Sequence, residues 1–184
     1  MTEGIGDPVE GFTHQGAHDQ LARRLATLNP NLKYVNLAQR GLLTQQIRET
    51  QLEPAVTLNP DLISVIAGAN DLLMRQWNPD TFETNFAVML GAFPARTQRL
   101  TMTLPNFSIP LNMPPTMKAR FERQWAQANH IIRRVAQQHD ALLLDVAANH
   151  EFHLADVWSA DQVHPNARGY ALTAQAMWEL LELP

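Results

Sequence analysis

The 184-residue sequence predicts an α/β domain of the three-layer α/β/α type, and three observations predict it. Short branched or leucine-rich apolar runs recur along the chain. Amphipathic helical patterns separate them. No repeat, low-complexity tract or linker interrupts the alternation, so residues 1–184 read as one domain of ordinary size.

The strands are expected at residues 33–37, 62–66, 100–104 and 141–146. Each run is short and apolar at successive positions, as in strands buried on both faces of a parallel sheet. The helices are expected in the gaps. Residues 18–28 place Leu21, Ala22, Leu25 and Leu28 on one face, and a second helix covers 43–52. Residues 81–93 carry the stripe Phe82, Phe86, Met89, Leu90 and Phe93. Residues 116–138 carry Met117, Phe121, Trp125, Ala128, Ile132 and Val135. Pro165, a favourable first-turn residue, opens the last helix, which carries Tyr170, Ala174, Met177 and Leu181.

Composition excludes several functions. Apolar residues make up 45% of the chain, enough for a core, and charged residues only 17%, against a usual ~25%. Fourteen basic residues against eighteen acidic ones give a net charge of -4, which argues against a nucleic-acid partner. There is no cysteine, which removes disulfides, zinc–thiolate sites, iron–sulfur clusters and a thiol nucleophile. No apolar run reaches the ~18 residues of a membrane span. The first residues have no basic start and no apolar stretch, so the chain reads as cytoplasmic unless a leader lies upstream.

In parallel sheets, ligands bind beyond the carboxyl ends of the strands. The residues there are Gly41 after the first run, Gly68-Ala69-Asn70-Asp71 after the second, Pro105-Asn106-Phe107 after the third, and Asp161-Gln162-Val163-His164 on the loop before the last helix. Together they suit acyl transfer. A histidine base needs a carboxylate to hold its tautomer, and Asp161 with His164 supplies the pair. A tetrahedral oxyanion needs fixed donors, and the Gly41 amide and Asn70 side chain supply two. Each motif alone also reads as turn chemistry, with Asp161, Asn70 and Gly41 as ordinary loop residues.

The motifs in this order resemble the SGNH hydrolase family, also called the GDSL esterases and lipases. Gly41 matches the second family block, Gly68-Ala69-Asn70-Asp71 the third, and Asp161-Gln162-Val163-His164 the fifth. The first block, Gly-Asp-Ser-x-Thr-Glu-Gly, is matched only by its tail Thr2, Glu3 and Gly4, with Met1 on the x. The resemblance implies a flavodoxin-like sheet of order 2-1-3-4-5 and a serine esterase with no cofactor and no metal. His164 would be the base, Asp161 its orienting group, and Gly41 and Asn70 the oxyanion hole. It also implies that the first central strand, about 5–6 residues, and the nucleophilic serine are missing, as from a start assigned too late. The implied partner is a small-molecule, lipid or sugar ester.

Other readings compete. Ser64, Ser108 and Ser159 are the only serines, and none follows a strand in the sharp turn that exposes a nucleophile. They are expected to be structural, with Ser159 at most a local partner of the 161–164 loop. Thr2 would be an N-terminal nucleophile only after removal of Met1. His150, His153, Asp156, Asp161 and His164 form a cluster suited to a metal, and His14 and His18 lie four apart. The non-enzyme alternative is a pseudo-esterase kept as a ligand-binding module. Residues 105–115, with Phe107, Ile109, Leu111 and Met113, read equally as an acyl pocket and as a loop packed over helices. Trp77 and Trp158 are further candidates for the pocket wall.

Overall fold

A computed structural model describes residues 3–74, 77–106, 108, 111 and 113–182. In chain order the elements are α1 (Ala17–Leu28), α2 (Thr44–Thr57), β1 (Leu62–Val65), α3 (Ala69–Leu73), α4 (Pro79–Gly91), β2 (Gln98–Met102), α5 (Pro115–Gln138), β3 (Leu142–Leu144) and α6 (Ala167–Leu180), with 3-10 turns at His150–His153 and Ala155–Val157. The class is the expected one, α/β with a parallel sheet flanked by helices. The chain forms two compact units, one of Met1–Arg40, Ile109–Asn112 and Asn149–Pro184, the other of Gly41–Ser108 and Met113–Ala148.

The second unit holds the sheet. Its strands are parallel in the order β1-β2-β3, with Ile63 opposite Arg99 and Thr101 opposite Leu143. The central strand is the most enclosed: all of β2 after Gln98 is buried, whereas β1 and β3 are half-buried. The stripe read on α4 is core, with Phe82, Phe86, Met89 and Leu90 all buried. Phe82 and Phe86 stack at 5.7 Å. Phe121, Ile132 and Val135 of α5 are likewise buried. Asn78 caps α4 by accepting from Thr81 N at 3.0 Å, and Pro79 takes the first turn, where its missing N–H costs nothing.

In the first unit α1 packs on α6. Ala17, Tyr170 and Ala174 form a buried cluster. Arg24 donates to Gln175 at 2.6 Å and lays its guanidinium 3.9 Å from the centre of the Trp178 ring.

Three expectations are corrected. Residues 33–37 form no strand: the segment is irregular, with Tyr34 and Val35 exposed. A strand exists only by pairing, and among the described residues the sheet is β1-β2-β3, with no strand paired to this segment. The second helix continues past residue 52 through Pro54 to Thr57. Proline forfeits its own N–H, but its carbonyl still accepts from Leu58 N at 3.3 Å. The last helix starts at Ala167 rather than Pro165, because Asn166 takes the cap position and accepts from Gly169 N at 3.0 Å. Among the described residues no helix is long and apolar enough to cross a membrane.

Candidate active site

The 161–164 motif lies on a closed loop of the first unit. Trp158 and Pro165 form an antiparallel bridge. Inside it, Ser159 N donates to His164 O at 2.8 Å and Gln162 N to Ser159 O at 2.9 Å; outside it, Asn166 N donates to Val157 O at 3.0 Å. Gln162 turns the loop with a left-handed φ of 59°. Asn166 is buried and works in two directions. Its oxygen caps α6, while its amide nitrogen donates to Asp156 O at 2.9 Å and Trp158 O at 3.0 Å.

On this loop Asp161 Oδ2 lies 2.6 Å from His164 Nδ1. Its other oxygen accepts from Val163 N at 2.9 Å and His164 N at 3.0 Å. Burial alone would raise the Asp161 pKa, but the bonds from the His164 ring and from the His164 and Val163 amides outweigh it and hold the pKa at about 2. An ionised carboxylate can only accept. Nδ1 therefore carries the proton, and in the neutral ring the lone pair sits on Nε2, the arrangement a general base requires. His164 is half-buried and Asp161 exposed, so the pair is open to a reactant.

The second unit carries the other motifs. Gly41 is exposed and has φ 81°, with nothing within 4 Å of where a side chain would begin. Asn70, the second residue of α3, donates through Nδ2 to Leu42 O at 3.0 Å. A side-chain amide has two N–H bonds, and the second is what an oxyanion would take. Asp71 grips the same stretch of chain. It accepts from Thr44 N at 3.1 Å and from Thr44 Oγ1 at 2.6 Å, so a carboxylate caps the start of α2. Burial raises the Asp71 pKa, against those bonds. Asn85 Nδ2 donates to Thr44 Oγ1 at 3.5 Å. The Gly-x-Asn-Asp block thus fastens the Gly41 loop at two successive residues.

The remaining candidates divide. Thr2, Phe107 and Ile109 lie outside the described residues. Glu3 is exposed, and Gly4 is half-buried with φ 69°. Leu111 and Trp158 are half-buried. Trp77 donates to Gln127 at 3.0 Å and packs on Phe82 at 5.1 Å. Ser108 is buried and donates to Asn106 at 2.7 Å, and Ser159 is buried with its Oγ accepting from Asp7 N at 2.8 Å. Among the described residues no three histidine or carboxylate groups converge on a metal position. Asp156 instead pairs with Arg168, and His14 Nε2 donates to Gly6 O at 2.6 Å.

Sequence reasoning gave no role to Asn166, Thr44 or Asp7. Asn166 was findable, since an asparagine just before an amphipathic helical run is a cap signal. Thr44 and Asp7 act through partners far away in sequence.

A search of the curated proteins gives no match. Solved structures share the fold. A putative GDSL-like lipase from Parabacteroides merdae superposes with TM-score 0.79 at 17% identity, covering 98% of this chain and 88% of that one. The acetyl xylan esterase Axe2 from Geobacillus stearothermophilus, as its W215I variant, gives 0.74 at 16%, covering 98% and 90%. The α/β hydrolase LAE5 from the Lake Arreo metagenome gives 0.71 at 24%, covering 98% and 88%. The family model of the GDSL-like lipases and acylhydrolases matches residues 1–172, so the chain belongs to that family.

Proposed function

We propose that the protein is a carboxylic-ester hydrolase that works through a serine acyl-enzyme, as a single domain. The observation that carries this reading is the Asp161–His164 pair, with its 2.6 Å bond to Nδ1 and two further backbone bonds on the same carboxylate. Family membership and the ester-cleaving enzymes among the fold neighbours support it.

In this reading the nucleophile is the serine of the family's first block, which the 184 residues do not include. His164 Nε2 takes the serine proton as the oxygen attacks the acyl carbon. The Gly41 amide and the Asn70 side chain hold the oxyanion. Collapse breaks the bond to the alcohol, which leaves with the proton from His164. Water then gives a proton to His164, attacks the acyl-enzyme and releases the acid and the serine. Leu111 and Trp158, with Phe107 and Ile109, are the proposed contacts of the acyl chain.

The test is hydrolysis of p-nitrophenyl acetate by a chain extended upstream through Gly-Asp-Ser. Activity that disappears in His164→Ala supports the reading. Full activity in that variant overturns it. A protein whose intact mass from its native source matches residues 1–184, with or without Met1, has no family nucleophile, and the ligand-binding alternative then replaces the esterase.

A further inference from the structure

Asp7 lies just past the first-block tail and bonds to the 161–164 loop on both sides. Its N–H donates to Ser159 Oγ at 2.8 Å. Its carboxylate Oδ2 accepts from Ala160 N at 2.7 Å. Its carbonyl accepts from Ala167 N at 2.9 Å. Ser159 and Ala160 directly precede Asp161, and Ala167 opens α6 just beyond His164. The neighbouring Gly6 seals the contact, because a side chain there would begin 1.7 Å from Pro165 O and 2.9 Å from the Tyr170 ring. Ser159 is buried and Asp7 is exposed, so the carboxylate reaches the loop from its outer side.

We infer that Asp7 is a positioning residue that sets the His164–Asp161 loop relative to the first-block segment. The inference rests on the esterase reading for its catalytic meaning only. The Trp158–Pro165 bridge and the Ser159 N–His164 O bond close the base of the loop, but its tip turns on a left-handed glutamine, and Asp7 adds an outside tether at Ser159 and Ala160. The charge-assisted bond to Ala160 acts one peptide away from Asp161, so any play there passes directly into the carboxylate that orients His164. The segment bearing Asp7 is the one that, in the family block, follows the nucleophile. On the esterase reading, the clamp therefore ties the base to the segment that follows the nucleophile, where an error of about 1 Å costs on the order of 10²-fold in rate.

The experiment uses the 184-residue chain and needs no activity. The low-field His164 Nδ1 proton is followed by NMR, and exchange of the Ala160 amide is measured, in Asp7→Ala, Asp7→Asn and Ser159→Ala. Asp7→Ala is expected to broaden or abolish the Nδ1 signal and to speed Ala160 exchange at least about ten-fold. Asp7→Asn keeps an acceptor for Ala160 and is expected to retain both. A folded Asp7→Ala with both signals unchanged overturns the inference, as does equal loss in Asp7→Asn. If Asp7→Ala does not fold, Ser159→Ala decides, since it removes only the acceptor of Asp7 N–H: a weakened Nδ1 signal supports the clamp and an unchanged one overturns it. Activity in the extended His164→Ala chain would remove the esterase reading and leave this measurement intact.

Discussion

Asp161 holds His164 twice, at the ring through Nδ1 and at the backbone through its own amide. The first bond selects the tautomer and the second fixes where the ring starts from. The two functions separate in Asp161→Asn. The asparagine oxygen can still accept the backbone bonds, but its NH2 turned toward Nδ1 demands the opposite tautomer. In the serine-extended chain this variant is expected to fold normally and to lose about 10³–10⁴ in kcat, as in the general triad template. Unchanged kcat would mean that Asp161 is only a turn residue.

The same carboxylate gives a pH dependence. Its folded pKa of about 2 lies below the ordinary aspartate value. Such a group adds stability above the unfolded pKa, and that stability is lost as pH falls from about 4 toward 2. Acid melting of the wild type against Asp161→Asn reads this directly. The wild type should lose its advantage inside that window, and the effect should be small because Asp161 is exposed.

Asn70 is expected to carry two tasks, since one N–H anchors Leu42 O and the other is proposed to face the oxyanion. Asn70→Ala should lower kcat by about 10²–10³ with KM little changed, the usual loss for one oxyanion donor. A variant that raises KM and leaves kcat alone would show that Asn70 only shapes the loop.

How much of this was legible in the sequence follows from the range of the interactions. The α4 stripe shows in its spacing and the three paired strands in their apolar runs, although β2 lies two residues earlier, at Gln98–Met102, than the 100–104 its run predicts. Asp161 and His164 lie three apart and carry their own geometry. The segment 33–37 was misread because its apolar pattern is that of a strand, whereas a strand is made by its neighbour. Asp7 was invisible because its partners Ser159 and Ala160 lie at the other end of the chain. Asp71 was in view within its motif, but nothing local tells that it caps α2 through Thr44.

His18 gives a second pH effect, of a different origin. It is buried on α1, and burial pushes its pKa down to about 4. Between about 4 and 6.5 the unfolded chain binds a proton that the folded chain refuses, so stability should fall as pH drops through that window. The shift corresponds to on the order of 3 kcal/mol. Urea unfolding at pH 7 and pH 4.5 should show the loss in the wild type and a flatter response in His18→Gln. Equal slopes in the two proteins would place the acid sensitivity elsewhere.

Arg99 of β2 should be the most costly single cation to remove. It is buried, yet it makes four bonds to the chain that leaves α4: Nε to Leu90 O at 2.8 Å, and its terminal nitrogens to Phe93 O, Pro94 O and Thr97 O. Helix α4 has no basic residue in its last turn, so Arg99 supplies the positive charge for its carboxyl end from a neighbouring strand. Arg99→Met keeps most of the volume and removes the side-chain donor from all four carbonyls, of which Pro94 O still accepts from Thr97 N at 2.9 Å. Each buried orphan costs about 1–3 kcal/mol, and some regain water, so a loss of about 2–4 kcal/mol is expected. Arg99→Lys should fall partway, because one ammonium cannot match the planar fork. A denaturation midpoint for Arg99→Met within about 0.5 kcal/mol of wild type would mean that the strand–helix connection holds without the guanidinium.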